Sequence, residues 1–259
     1  TGMYLEGSIA LPKTADDKPR FEEDVKSARD AGAEIIRTVC LSGRRYENFH
    51  SPGEFEEFRK NSLASLQLAE PLMAKYRMKL AIENHKDWRA RELADILKRL
   101  GSEWTGVTVD FGNSISLMED PIDVVNTLGP FIFSTHVKDM AIQEYDQGFL
   151  LLEVPLGQGF LDLRKMCDIC RAHNSKVNFN LEMITRDPLK IPCLTEDYWS
   201  TFTSVGGKEL ARTLRTVREK RSSLPLPEIS GLTAEEQLAA EEKNVVACLE
   251  YSRSALGMR

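Results

Sequence analysis

Long apolar runs, an excess of basic residues and a disulfide framework are all missing from this 259-residue chain. Its longest apolar stretches, such as Phe149–Leu152, fall far short of the roughly 20 residues needed to cross a bilayer, so no membrane span is expected. Lys and Arg number 34 against 40 Asp and Glu, a formal charge of −6, which argues against nucleic acid as a partner. The five cysteines, Cys40, Cys167, Cys170, Cys193 and Cys248, are odd in number and scattered; they read as free thiols in a reducing compartment. Thr1–Leu5 has neither the basic start nor the apolar stretch of a leader, so a cytoplasmic location is expected. Histidine is scarce, at four residues, which limits imidazole-rich metal sites. What remains, 42% hydrophobic and 29% charged, is the composition of a folded chain with a substantial core.

Short apolar runs recur at Tyr4–Leu11, Glu34–Leu41, Lys79–Glu83, Gly106–Phe111, Phe131–Val137 and Val177–Glu182, and read as buried parallel strands. Between most of them, Phe21–Ala31, Pro52–Tyr76, Arg89–Leu100, Pro121–Leu128 and Leu161–His173 have helical spacing with one charged face. Such alternation predicts an α/β domain with a parallel sheet, either a closed barrel or an open doubly wound sheet. Gly148–Val154 reads as an extra strand or half-hairpin that lengthens one βα loop. The chain then divides into a barrel-forming stretch, 1–221, and a linker with a C-terminal helix, 222–259. In that helix Thr233 and Glu236 have the spacing of a capping box.

Chemistry concentrates at strand ends. Glu83 in AIENH, Asp110 in VTVDFGN, His136 in FSTHVKD and Glu182 in FNLEM close four successive predicted strands. An isolated acid or histidine there usually caps a helix or pairs with arginine; four in consecutive strands form a pattern. Three carboxylates and one imidazole favour a hard divalent cation, Mn²⁺ or Mg²⁺ first, with Co²⁺ or Zn²⁺ also accommodated.

The order of these motifs, with Gly112-Asn113 after Asp110, the tetrapeptide His136-Val137-Lys138-Asp139 and the turn Pro155-Leu156-Gly157-Gln158-Gly159, resembles the xylose-isomerase-like TIM barrels, over roughly Tyr4–Arg221. The resemblance implies a (β/α)8 barrel in which Glu83, Asp110, His136 and Glu182 bind the metal. It also implies that Glu83 and Glu182 face each other across the substrate, one removing a proton and the other delivering one. Only two predicted strands precede the one bearing Glu83, where the family has four. The first two βα units, on the order of 60 residues at the usual unit length, are therefore expected to be absent, and the chain begins without an initiator Met. The reading is a fragment or an abbreviated barrel whose open edges are covered by the C-terminal helix or a partner chain.

The implied function is a divalent-metal-dependent sugar or sugar-phosphate isomerase or epimerase, acting on a ketose or keto-sugar by proton transfer through a metal-bound enediolate. The same site also accommodates a dehydratase or decarboxylase of an oxidised sugar or inosose. A repair endonuclease of the family would need several more histidines. A degenerate, non-catalytic barrel is the alternative from another class, and self-association into a homo-oligomer is implied by resemblance alone.

Four neighbours are candidate substrate-binding residues, each with a plainer alternative. Lys138 either neutralises an oxyanion or pairs with Asp139, and His85 either donates to a substrate hydroxyl or serves a loop. Asn113 either bonds substrate or makes the turn, and Arg186 either clamps an anion or bridges to Asp187. Arg44 and Arg45 either meet a substrate anion or form a solvated pair. Trp88 and Trp199 pack against a sugar face or within the protein. Cys167 and Cys170, though a CxxC, read as helix packing. Gly157-Gln158-Gly159 lacks the third glycine of a dinucleotide fingerprint.

Overall fold

In the computed structural model, which describes residues 4–258, six short strands form one parallel sheet. The leader reading at Thr1–Met3 lies outside the described residues. The strands are β1 (Glu6–Ser8), β2 (Ile35–Thr38), β3 (Lys79–Glu83), β4 (Thr105–Asp110), β5 (Ile132–Val137) and β8 (Asn178–Leu181), adjacent in that order. Two further strands, β6 (Asp139–Tyr145) and β7 (Gly148–Val154), intervene before β8. They pair antiparallel and form a small second sheet with β9 (Leu189–Ile191). The extra strand or half-hairpin expected at Gly148–Val154 is present as β7; its hairpin partner β6, not expected from the sequence, follows β5 after one residue, Lys138.

The helices are α1 (Lys18–Asp30), the single turn α2 (Arg45–Asn48), α3 (Pro52–Tyr76), α4 (Ala90–Leu100), α5 (Pro121–Leu128), α6 (Leu163–His173), α7 (Gly207–Lys220) and α8 (Ala234–Ala255). Leu80, Ile82, Val107 and Val109 of the sheet are buried in one core with Leu93 and Leu97 of α4 and Val124, Val125 and Leu128 of α5. Burial of that outer face orients the alternate residues inward. The interior is polar: Glu6 Oε2 accepts hydrogen bonds from Ser134 Oγ at 3.0 Å and Asn180 Nδ2 at 2.7 Å. One carboxylate of β1 thus ties together β5 and β8 across the curl of the sheet. Among the described residues β1 and β8 pair with no further strand, so the sheet contains six strands of the expected barrel.

Strand limits are tighter than the sequence predicts, because runs such as Tyr4–Leu11 continue past their ladder into loops. Helix limits agree more closely, and the Thr233–Glu236 capping box is present. No described helix is long and apolar enough to cross a membrane. A second core lies under the small sheet, where Met140, Ile142, Phe149 and Leu151 pack with Tyr198, Phe202 and Val217.

Asp139 fixes the turn that follows β7. Its carboxylate accepts from the backbone N–H groups of Gly157 (2.9 Å), Gly159 (3.0 Å) and Leu161 (3.2 Å). Gly157 has a φ of +83°, and a Cβ there would run into the Tyr251 ring of α8. The C-terminal helix docks on this turn, with Cys248 Sγ accepting from Leu156 N at 3.4 Å. Gly157→Ala should therefore destabilise the chain by about 1–3 kcal/mol through overpacking and an unfavourable φ, measured by urea unfolding. In a Tyr251→Ala background Gly157→Ala should cost only the φ part; an equal cost in both backgrounds would show that α8 is not held at this turn.

Candidate metal centre

The parallel register brings the four strand-end residues together. Asp110 on β4 lies directly beside His136 on β5, and Glu83 pairs with Thr108 one strand away. Glu182 N bonds to Val137 O at 3.0 Å just past β8. One ligand atom from each of Glu83, Asp110, His136 and Glu182 falls within 4.8 Å of the others. His136 Nδ1 stands 3.5 Å from Glu83 Oε2, 3.5 Å from Glu182 Oε2 and 4.0 Å from Asp110 Oδ2.

Proximity alone would be repulsive, since three carboxylates share a buried site. Cations hold them. Arg37 on β2 donates from Nε to Glu83 Oε2 at 2.6 Å, and its Nη2 also contacts that oxygen. Lys138 is almost wholly buried; its ammonium lies 2.9 Å from Asp110 Oδ2 and 3.5 Å from Glu153 Oε1, and contacts Glu182 Oε2. Burial alone would raise the Glu83 carboxyl, but His136 and Arg37 outweigh it and bring it to about 2. Glu182 is likewise held well below the usual carboxylate range by His136 and Lys138 against the effect of burial. Lys138 is raised well above the usual amine range, its three acids overcoming burial.

The donor set fits a metal. Asp110 Oδ2, His136 Nδ1 and Glu182 Oε2 are buried and converge on one point without a well-formed hydrogen bond, the Lys138 ammonium lying against the two carboxylate oxygens as their counter-ion. A buried ring nitrogen without a hydrogen bond, as at His136 Nδ1, costs about 1–3 kcal/mol, a cost a shared cation removes. The remaining carboxylate oxygens are oriented: Asp110 Oδ1 accepts from Gly112 N and Asn113 N, and Glu83 Oε1 accepts from Asn113 Nδ2 at 3.0 Å. Asn84 brackets the Asp110 backbone from both sides. Supporting bonds of this kind fix a ligand's rotamer.

The other candidates resolve individually. Lys138 pairs with Asp110, Glu182 and Glu153 rather than with Asp139, which is committed to the glycine turn. Asn113 both makes the turn and reaches Glu83. His85 is half-buried beside Glu83 with Nδ1 unpartnered; burial and the Lys86 charge lower it to about 4, so it is a neutral imidazole. Arg186 bonds Glu153 Oε1 at 2.9 Å, whereas Asp187 binds Ile229 N and Ser230 N, so no Arg186–Asp187 bridge forms. Arg44 pairs with exposed Glu47, but Arg45 is buried, bonded to Glu92 at 2.8 Å and to Thr201. The solvated-pair reading is thus corrected for Arg45. Trp88 is fully buried and stacked on Phe58, while Trp199 packs edge-on against Tyr198. Cys167 and Cys170 are buried free thiols.

Three site residues escaped the sequence reading: Arg37, Lys86 and Glu153. Arg37 and Glu153 left a signal, a charge inside an apolar strand. Lys86, in the loop after β3, left none.

A pH dependence follows. Burial would lower the His136 imidazole, but the carboxylates of Glu182 and Glu83, each 3.5 Å from Nδ1, override this and raise it to about 10. The imidazolium then stabilises the metal-free fold fully below its ordinary value of 6.5, and that contribution is lost as pH rises through about 10. A cation binding through Nδ1 must displace the proton. Mn²⁺ titrated calorimetrically at pH 7.5 in buffers of different ionisation enthalpy should release about one proton per ion, with affinity increasing toward alkaline pH. Release of none would mean that His136 is neutral before the ion arrives.

Comparison with known proteins places the chain. A family model described as a xylose isomerase-like TIM barrel matches residues 7–201. A 3-oxo-isoapionate decarboxylase of Pectobacterium atrosepticum is 25% identical over 177 residues, which cover 67% of this chain and 61% of that protein; the chain thus spans less than two thirds of that relative. The crystal structure of a D-psicose 3-epimerase in the presence of D-fructose superposes with a TM-score of 0.60 at 16% identity, covering 99% of this chain and 80% of the epimerase. A xylose isomerase-like TIM barrel protein from Mycobacterium smegmatis, in complex with magnesium, gives 0.54 at 15% identity, covering 80% and 74%. At these identities the structural matches show the fold, and with the family match over most of its length they lead to one conclusion: the chain belongs to the xylose isomerase-like TIM barrel family.

Proposed function

We propose that the chain is a divalent-metal-dependent enzyme that moves a proton at the carbon beside the carbonyl of a small keto-sugar, an isomerase or epimerase in outcome. The observation that carries this reading is the convergence of buried ligand atoms of Asp110, His136 and Glu182 at one point with Glu83, three carboxylates and one imidazole from neighbouring strand ends. Those four residues would hold the ion, Mn²⁺ or Mg²⁺ by the hardness of the donors. When bound, such an ion supplies Lewis acidity that polarises a carbonyl and makes its neighbouring proton removable.

The chain's own groups do the rest. Glu83 and Glu182 approach the centre from opposite sides of the four-strand group, and both are held ionised, able to accept a proton. They are not equivalent. The Glu83 side chain is 1% exposed and locked by Arg37 and Asn113, whereas that of Glu182 is 24% exposed. Glu182 is therefore the carboxylate positioned to exchange a proton with substrate, and Glu83 is the more rigid partner. The Lys138 ammonium beside Asp110 and Glu182 stabilises negative charge developing on substrate oxygen, and neutral His85 can donate one hydrogen bond to a hydroxyl.

One observation favours a second outcome on the same site. One relative carries the name of a decarboxylase, and loss of CO₂ leaves the same kind of enediolate as loss of a proton. Elemental analysis should find about one divalent ion per chain, lost in His136→Ala and in Glu182→Gln. In D₂O, NMR should show deuterium entering beside the carbonyl of D-fructose or L-ribulose, falling at least a hundredfold in Glu182→Gln, the usual scale of general acid–base catalysis. Sugar binding without metal and without exchange would establish a non-catalytic barrel instead.

A further inference from the structure

Among the described residues the buried cations Arg45 and Lys138, and the partly buried Arg37 and Arg186, are paired with carboxylates, and Lys86 is the exception. Arg37 is bonded to Glu83, Lys138 contacts Asp110, Glu182 and Glu153, Arg186 is bonded to Glu153, and buried Arg45 is bonded to Glu92. Lys86 is 4% exposed, yet among the described residues its ammonium contacts no carboxylate. Its one hydrogen bond goes to a neutral acceptor, Asn113 Oδ1. An ammonium has three donors, so two remain unused in a place where water is largely excluded.

Taking an unpaired charge out of water is expensive, and a lysine needed only for packing would be replaceable by methionine. Lys86 is tied to the centre through one side chain all the same. Asn113 passes directly from Lys86 to Glu83 through its two amide atoms, so the ammonium stands one side chain away from a candidate metal ligand. Burial, with the charges of Lys138 and Arg186 outweighing those of Asp110 and Glu153, lowers it to about 8. Tyr46, next to Arg45 and within reach of the Arg186 charge, presents a buried hydroxyl with no hydrogen-bond partner. An ammonium without a counter-ion thus stands beside the metal centre within the influence of a half-buried guanidinium, that of Arg186, and of no carboxylate in contact. Such a lobe is what an anionic group requires.

We propose that Lys86 receives an anionic group of the substrate, a carboxylate or a phosphate, so that the enzyme acts on a charged keto-sugar derivative in preference to a neutral ketose. The inference rests on the proposed function for the location of the substrate, but not for the reaction. Lys86 is then a specificity-determining residue whose missing counter-ion is the ligand itself.

Three probes share one carbon skeleton: D-fructose, 2-keto-D-gluconate, which bears a carboxylate at C1, and D-fructose 6-phosphate. Calorimetric titration of the Mn²⁺-loaded full chain should give one of the two anions a Kd at least tenfold below that of D-fructose, and which one it is identifies the group. Lys86→Met should erase the preference while retaining bound Mn²⁺ and thermal stability, and Lys86→Arg should retain most of it. Equal affinity for the three probes, no binding of any, or a preference that survives Lys86→Met overturns the proposal; deuterium exchange on a neutral ketose would leave the proposed function standing in that event. Conversely, an anion preference that depends on Lys86 in a chain that neither retains Mn²⁺ nor exchanges protons supports the Lys86 assignment and sinks the enzymatic reading.

Discussion

Mutual repulsion among Glu83, Asp110 and Glu182 is the constraint around which the rest of the molecule is arranged. Each carboxylate ends a strand or follows one directly, each is at least partly desolvated, and each would push the others apart or take up a proton if left alone. The fold answers with cations placed from outside the cluster: Arg37 from β2 and Lys138 from the junction of β5 and β6. These contacts keep Glu83 and Glu182 ionised against burial. Ionised acids that do not satisfy one another are a standing attraction for a divalent ion.

The arrangement depends on sheet register more than on any single contact. Asp110 and His136 are direct neighbours across the β4–β5 ladder, and a one-residue slip would turn both side chains into the helical layer. That slip is resisted from the opposite face, where Leu80, Ile82, Val107 and Val109 are fully buried. Hydrophobic burial outside the curl thus sets the polar geometry inside it. Asp139 extends the same logic to the loops: three backbone N–H groups on its carboxylate fix the glycine turn, and the turn in turn seats α8.

The sequence exposed the four candidate ligands because a charged residue closing an apolar strand breaks a strong pattern. Arg37 and Glu153 break the same pattern, but an arginine is not a metal ligand and Glu153 sat in a strand of unassigned partner. Strand β6 was hidden for a local reason. Only Lys138 separates it from β5, so no turn signal marked a new element. The loop bearing Lys86 has no periodicity at all, and the position of its ammonium depends on Asn113, which follows β4 and also bonds Glu83 at the end of β3. Trp88 shows the reverse: proximity in sequence to a strand end did not place it at the mouth, because Phe55 and Phe58 of α3 offered an aromatic pocket beneath.

A six-stranded sheet would be a poor basis for a site that needed a closed barrel, but this one draws on few strands. Its candidate ligands come from β3, β4 and β5 and the end of β8, which are consecutive in the sheet, and its outer support comes from Arg37 one strand further on. Glu6 on β1 bonds Ser134 and Asn180, tying the first strand to the far side of the curl without a ladder between them. The cluster is therefore held by contiguous pairing and by a polar cross-link through the interior, so its geometry follows from local register. The anionic lobe has the same economy: Lys86 is the third residue after Glu83, and the bridge from one to the other is the side chain of Asn113, itself the third residue after Asp110. Two strand-end loops of equal reach, on adjacent strands, thus join the metal centre to the place where a substrate charge would be received.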